Sequence, residues 1–248
     1  MKHCGILAHS AEGAALCFLT FCHEGARHMG THMHPDISID CIAMGQSMPA
    51  WDAGDYAAIR AIHARSAARL AKAGADFFVC PENTSHIALE TAGPEFALPG
   101  LNIGDVVAGE AAANGYRKVG ILGTRYTMNG PVYPRALSAL GIDHEVPDRD
   151  EQAAINRIIF DELCNGVFTD VSRSVYVAVI ERLKSRGCDA VALVCTEIPL
   201  LVTEDVSPLP TLDSTRLLAR AAFAVAAGHA PLPHWTGGLV TSNKGDGR

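Results

Sequence analysis

Two stretches of this chain end an apolar run on groups that can move a proton. FFVCPENTSH (residues 77–86) stops at Glu82, Asn83 and Thr84, and VALVCTEIPL (residues 191–200) stops at Cys195, Thr196 and Glu197. A carboxylate and a thiol are both acid/base groups, and the end of a buried strand is a costly place for a carboxylate without a partner or a task. A cysteine after an apolar run is commonly only packing, and a glutamate there can be a cap or an ion-pair partner. Both readings stay open on these residues alone; what sets the two positions apart is that they occupy matching places in a repeated pattern.

The repeat is AGADFFVCPENTSH against RGCDAVALVCTEIPL: a Gly-containing turn, an acidic residue, an apolar run, then a polar loop. A second pair, KHCGILAHSAEG and RKVGILGTRYTMNG, places GIL before a small-residue loop. Two pairs in the same order predict two similar lobes facing each other, each giving loops to one cleft. That places Glu82 opposite Cys195, a geometry suited to work on both faces of one carbon. One group removes a proton from Cα while the other delivers one to the far face. The carbanion beside a carboxylate needs hydrogen-bond donors, and Asn83, Thr84, Thr196, Thr124 and Thr127 are the candidates. Glu197 is assigned to orienting its neighbours.

The elements that must position these residues alternate. Strands are expected at 3–7, 38–43, 75–80, 118–122 and 190–194. Helices are expected at 11–23, 56–73, 103–114, 131–140, 151–165, 172–186 and 214–227. Repeated βα units predict parallel sheets covered by helices, with ligands at the C-terminal strand ends. The expected fold is α/β: a first lobe at 1–112 completed by 212–235, a second lobe at 113–211, and a disordered tail at 236–248.

Composition bounds the function classes. The chain has 248 residues, 48% hydrophobic and 19% charged, with a net charge of −7. No basic run appears, so nucleic acid and anionic membrane are not expected partners. No apolar run reaches transmembrane length, His9 and Glu12 interrupt the only faint leader-like stretch, and a cytoplasmic location is expected. Eight cysteines are scattered without a C-x-x-C pair, and HMGTHMHPD gathers His28, His32 and His34 with no partner cluster, which favours a solvated loop over a metal site. No cofactor motif is present, and none is expected.

With these residues in view, the chain resembles the cofactor-independent aspartate/glutamate racemases. GILGTRYTM, VPDRDEQAAINRIIFDELCNGVF and LVCTEIPLL look like that family's second lobe, and GILAHSAEG is a looser counterpart of its opening glycine-rich loop, which brings Ser10 into the substrate-binding set. The resemblance implies a catalytic thiol at Cys195, carboxylate and amine binders at Asn83, Thr84, Thr127 and Thr196, and a homodimer. Cys195 is expected to be the sole thiol of the cleft.

Two departures qualify it. The family's first-lobe cysteine is Glu82 here, and Cys80 cannot stand in, because strand alternation and the turn at Pro81 direct it elsewhere. The basic groups that grip a substrate's side-chain carboxylate are also missing, with Gln46, Ser47 and Thr169 in the corresponding regions and Arg125 or Arg173 as possible replacements. The expected activity is therefore an amino-acid racemase or epimerase free of pyridoxal phosphate, using a Glu82/Cys195 pair on a small amino acid or related carboxylate. A single-thiol lyase or decarboxylase and a non-catalytic amino-acid-binding protein are the alternatives.

Overall fold

The computed structural model describes residues 1–240. Its strands form two parallel four-stranded sheets of the same topology. The first holds β1 (Cys4–Ala8), β2 (Ile37–Cys41), β3 (Phe77–Val79) and β4 (Gly100–Leu101) in the order β2-β1-β3-β4. The second holds β5 (Lys118–Gly123), β6 (Asp143–Glu145), β7 (Ala190–Val194) and β8 (Thr211–Asp213) in the order β6-β5-β7-β8. Every pairing within them is parallel.

The central strands are what an all-parallel sheet requires. β1, β3 and β7 are buried at every position, and β5 at all but Lys118, because helices cover both faces. Those helices are α1 (Ala11–Met29), α2 (Met48–Ala53), α3 (Tyr56–Lys72), α4 (His86–Leu89), α5 (Ile103–Ala113), α6 (Arg125–Met128), α7 (Val132–Ala139), α8 (Arg149–Asp161), α9 (Asp170–Ser185), α10 (Ile198–Leu201) and α11 (Ser214–Ala226). Many start where a side chain takes an orphan N–H: Ser10 for α1, Asn102 for α5, Thr169 for α9 and Asp213 for α11, with a full capping box of Asp148 and Glu151 at α8.

Strands β4, β6 and β8 were not anticipated. Each is two or three residues long and lies at a sheet edge, too short to carry a readable alternation. β8 also carries the second sheet past residue 211, to Asp213. Helix α1 runs to Met29 rather than ending near His23. Its Gly25 does not break it. A Cβ there would lie 2.4 Å from His34 Cβ, so the missing side chain lets the following loop pack against the helix.

That loop disperses the three histidines. His28 stacks on Phe223 at 5.5 Å, His34 Nδ1 pairs with Pro35 O, and His32 adopts a left-handed φ of 64°. Among the described residues no group of three potential metal ligands converges, and no helix is long and apolar enough to cross a membrane.

The core follows the sheets. One cluster surrounds the second sheet, and two surround the first. α11 returns the chain to the first sheet, placing Leu218, Ala222 and Phe223 against Cys17 and Phe21 of α1. The segment expected to be disordered from residue 236 is held at its start. Thr236 O accepts from Phe96 N, and Gly238 N donates to Leu89 O; residues 241–248 lie outside the described residues.

Candidate active site

The four central strands end around one cavity of about 300 Å³. Ser10 follows β1, Glu82 follows β3, Thr124 follows β5 and Cys195 follows β7. Parallel strands put these ends on one rim of each sheet, and the two rims face the same space. Of Ser10, Glu82, Asn83, Thr84, Thr124, Thr127, Cys195, Thr196 and Glu197, all but Thr127 line this cavity.

The first half of the site is built on Glu82. Its Oε1 accepts from Ser10 N at 3.0 Å and from Ser10 Oγ at 2.5 Å. Burial pushes its carboxyl up to about 7, against the pull of the Ser10 hydroxyl and with the push of Glu197 and Glu12. Ser10, expected to touch substrate, lines the cavity and holds this carboxylate. Gly13 explains how closely the parts fit. A Cβ on it would lie 2.7 Å from Thr196 Cγ2 and 3.1 Å from Glu82 Oε1, so a bare backbone at the start of α1 lets the loops of the two sheets meet.

The second half is built on Cys195, 9% exposed, whose Sγ donates to Glu197 Oε2 at 3.0 Å. Burial lifts the thiol well above its ordinary range, and the Glu197 carboxylate adds to that in charge and as acceptor; the Glu197 backbone N–H pulls the other way. Glu197, two residues along, is the acceptor of the thiol's hydrogen bond.

Between the halves lies a triangle of hydroxyls. Thr84 Oγ1 is 3.1 Å from Thr124 Oγ1 and 2.9 Å from Thr127 Oγ1, and the latter two are 3.0 Å apart. Thr127 completes the triangle from behind, 1% exposed. Asn83, expected among the substrate binders, commits its amide elsewhere: Nδ2 donates to Ser214 Oγ at 3.0 Å and Oδ1 accepts from the Tyr133 hydroxyl. Ser214 in turn donates to Leu193 O. The chain of bonds ties the loop after β3 to the second sheet.

Several sequence expectations need correction. Cys195 is not the sole thiol of the cleft, because Cys164, from the turn after α8, also lines it. Ser47 lies behind the cavity, bonded to His9 Nε2 at 2.6 Å, and Gln46 bonds Arg65 outside it. Thr169 caps α9. Neither proposed replacement cation reaches the cavity lining: Arg125 donates to the Tyr126 hydroxyl, and Arg173 to Leu201 O and Asp170. Cys80 is fully buried in the first lobe's core, as strand alternation requires.

The apolar part of the lining was missed. Met44, Met48 and Trp51 come from the segment after β2, Tyr126 from α6, and Ile159 and Phe160 from α8. The run MPAW after a strand was the available hint, since α2 was assigned to no element.

Comparison with known proteins places this architecture. The Asp/Glu/hydantoin racemase family matches residues 18–222. The chain belongs to that family. It is 26% identical over 156 residues to the broad specificity amino-acid racemase RacX of Bacillus subtilis, a match spanning 62% of this chain and 66% of that protein, just short of two thirds of its length. A Yersinia pestis structure designated a candidate Asp/Glu racemase superposes with a TM-score of 0.80 at 29% identity, covering 92% of this chain and 100% of that one. An aspartate racemase homologue from Pyrococcus horikoshii gives 0.76 at 26% identity, with 92% and 100% coverage. Glutamate racemase from Francisella tularensis, solved with D-glutamate, shares the fold at 15% identity, with a TM-score of 0.64 over 94% and 86% of the chains. The two-sheet α/β fold is that of the family, a family of amino-acid racemases.

Proposed function

We propose that this racemase works without a cofactor, with Glu82 and Cys195 as its acid/base pair. The observation that carries the reading is that the duplicated topology brings a carboxyl lifted to about 7 and a hydrogen-bonded thiol to equivalent strand ends on one cavity. At neutral pH a large share of Glu82 is carboxylate while Cys195 remains a thiol, so a base and an acid stand ready together.

In one direction Glu82 takes the Cα proton, and the electron pair moves into the substrate carboxylate to give an enediolate-like carbanion. The hydroxyls of Thr84, Thr124 and Thr196 hold that carboxylate, with Thr127 fixing the first two. Cys195 then delivers its proton to the opposite face, leaving a thiolate and a protonated Glu82. This form is the one required to turn over the mirror-image substrate. The Glu197 backbone N–H steadies the thiolate, and its carboxylate aims the S–H in the resting state.

The reading includes two folding units, residues 1–112 with 212–235 and residues 113–211, supported by the packing of α11 on the first sheet, with the boundary moved past Asp213 because β8 pairs with β7. A cytoplasmic location is supported by eight unpaired cysteines, and a homodimer by family resemblance.

The deciding experiment is incubation with a panel of amino acids in deuterated water. Cα deuteration with loss of optical purity supports the racemase. Carbon dioxide release would identify a decarboxylase, and silence on every substrate would identify a binding protein.

A further inference from the structure

The cavity has a wall that the acid/base chemistry does not use. Met44, Met48, Trp51, Tyr126, Ile159 and Phe160 form it, lining the same cavity as Glu82 and Cys195. Trp51 packs against Tyr126 with ring centroids 5.8 Å apart. Met44, Met48 and Phe160 keep 42%, 41% and 41% of their surface exposed, so three large apolar side chains on this wall wait to be covered.

The charges of the cavity are all of one sign. Glu12, Glu82 and Glu197 line it, and no lysine or arginine does. His9 lines it as well, but burial lowers its affinity for a proton, and both ring nitrogens are engaged, with Ile42 O at 2.8 Å and Ser47 Oγ at 2.6 Å. Arg125 lies over the Tyr126 ring at 5.0 Å and is held there by the tyrosine hydroxyl at 3.1 Å. A substrate with a second carboxylate would face three acidic side chains and an apolar wall, with nothing to neutralise it. A cationic side chain could meet Glu12 at the exposed mouth, but Glu82 is bonded to Ser10 and Glu197 to Cys195.

We propose that this site takes amino acids with an uncharged, apolar side chain, aromatic or long aliphatic, and discriminates against aspartate and glutamate. The side chain lies on Trp51, Tyr126 and the two methionines, where flexible thioethers adapt to its shape. This rests on the racemase reading, which supplies the orientation of Cα between Glu82 and Cys195.

Two measurements on the full-length protein separate the two claims. The first is Cα deuteration of phenylalanine, leucine, aspartate, glutamate and lysine; phenylalanine or leucine should exceed aspartate by at least about 100-fold in kcat/KM. The second does not need turnover. Iodoacetamide labelling is read on the Cys195 peptide separately from the Cys164 peptide, and phenylalanine should protect Cys195 at a concentration at least about tenfold lower than aspartate. Protection by phenylalanine without deuteration would sink the racemase and leave the side-chain assignment standing. Protection or deuteration by aspartate or glutamate equal to that by phenylalanine overturns the assignment while leaving the racemase intact. A preference for lysine overturns it in favour of a cation paired with Glu12, and protection by none of the panel overturns both. Trp51→Ala should raise KM for phenylalanine about tenfold with kcat little changed; an unchanged KM would remove Trp51 from the subsite.

Discussion

The two halves of the candidate site share a topology and differ in resting chemistry. After β3 the chain presents a carboxylate that receives hydrogen bonds from the N–H and hydroxyl of Ser10. After β7 it presents a thiol that gives its hydrogen bond to Glu197. One half is wired to hold a negative charge and the other to hold a proton. Burial lifts both groups, yet their ordinary values lie about four units apart, so the lift leaves Glu82 near neutrality and keeps Cys195 protonated. A pair of thiols would need one ionised before turnover; under the proposed mechanism the Glu82/Cys195 pair starts with its proton already on the correct side.

Removing either group breaks the comparison most severely. Cys195→Ala should lower kcat by at least about 10³-fold with circular dichroism and Tm close to the parent; full activity would end the two-base mechanism. Glu82→Gln should lose turnover comparably while the Cys195 peptide is still alkylated. Glu82→Cys makes the halves alike, and it should retain measurable racemisation with its pH profile moved to the alkaline side.

Glu197→Gln tests the second half more gently. The carboxylate raises the thiol, so its loss should move Cys195 alkylation to lower pH and reduce kcat by about 10–100-fold, in line with a misaimed proton donor. An unshifted alkylation profile would show that Glu197 does not govern the thiol.

The first half sets the acid limb of the pH profile. With Glu82 at about 7, kcat/KM for the direction in which it acts as base should rise with pH through about 7. Ser10 pulls that carboxyl down, so Ser10→Ala should move the limb to higher pH; a move to lower pH would contradict the role given to Ser10.

The smallest expected effect is on stability. Glu82 has a folded-state value raised above its ordinary 4.5, so the folded protein binds its proton more tightly than the unfolded chain does. Its contribution to stability is fully present below about 4.5 and is lost as pH rises through about 7. Glu82→Gln cannot lose it. Its Tm relative to the parent should therefore increase between pH 4.5 and 7 and level off above, and a flat difference would mean that Glu82 is not desolvated.

Sequence by itself determined the parts of this protein that are recorded along single elements. GIL twice before a small-residue loop, and two apolar runs ending in ENT and CTE, identify β1, β5, β3 and β7, because a strand buried on both faces must be apolar throughout. That Glu82 stands at the place matching Cys195 was legible for the same reason: both sit at a fixed place in a repeated pattern. Only the tertiary structure decided what surrounds those groups. The edge strands β4, β6 and β8 are defined by their pairing with a neighbour. The Ser10–Glu82 contact joins residues 72 positions apart, and the apolar wall assembles Trp51, Tyr126 and Phe160 from three separate segments. Cys164 enters the cavity and Asn83 bonds Ser214 and Tyr133 for the same reason. Burial, desolvation and cavity shape belong to an environment built by distant segments, and no periodicity within one segment encodes them.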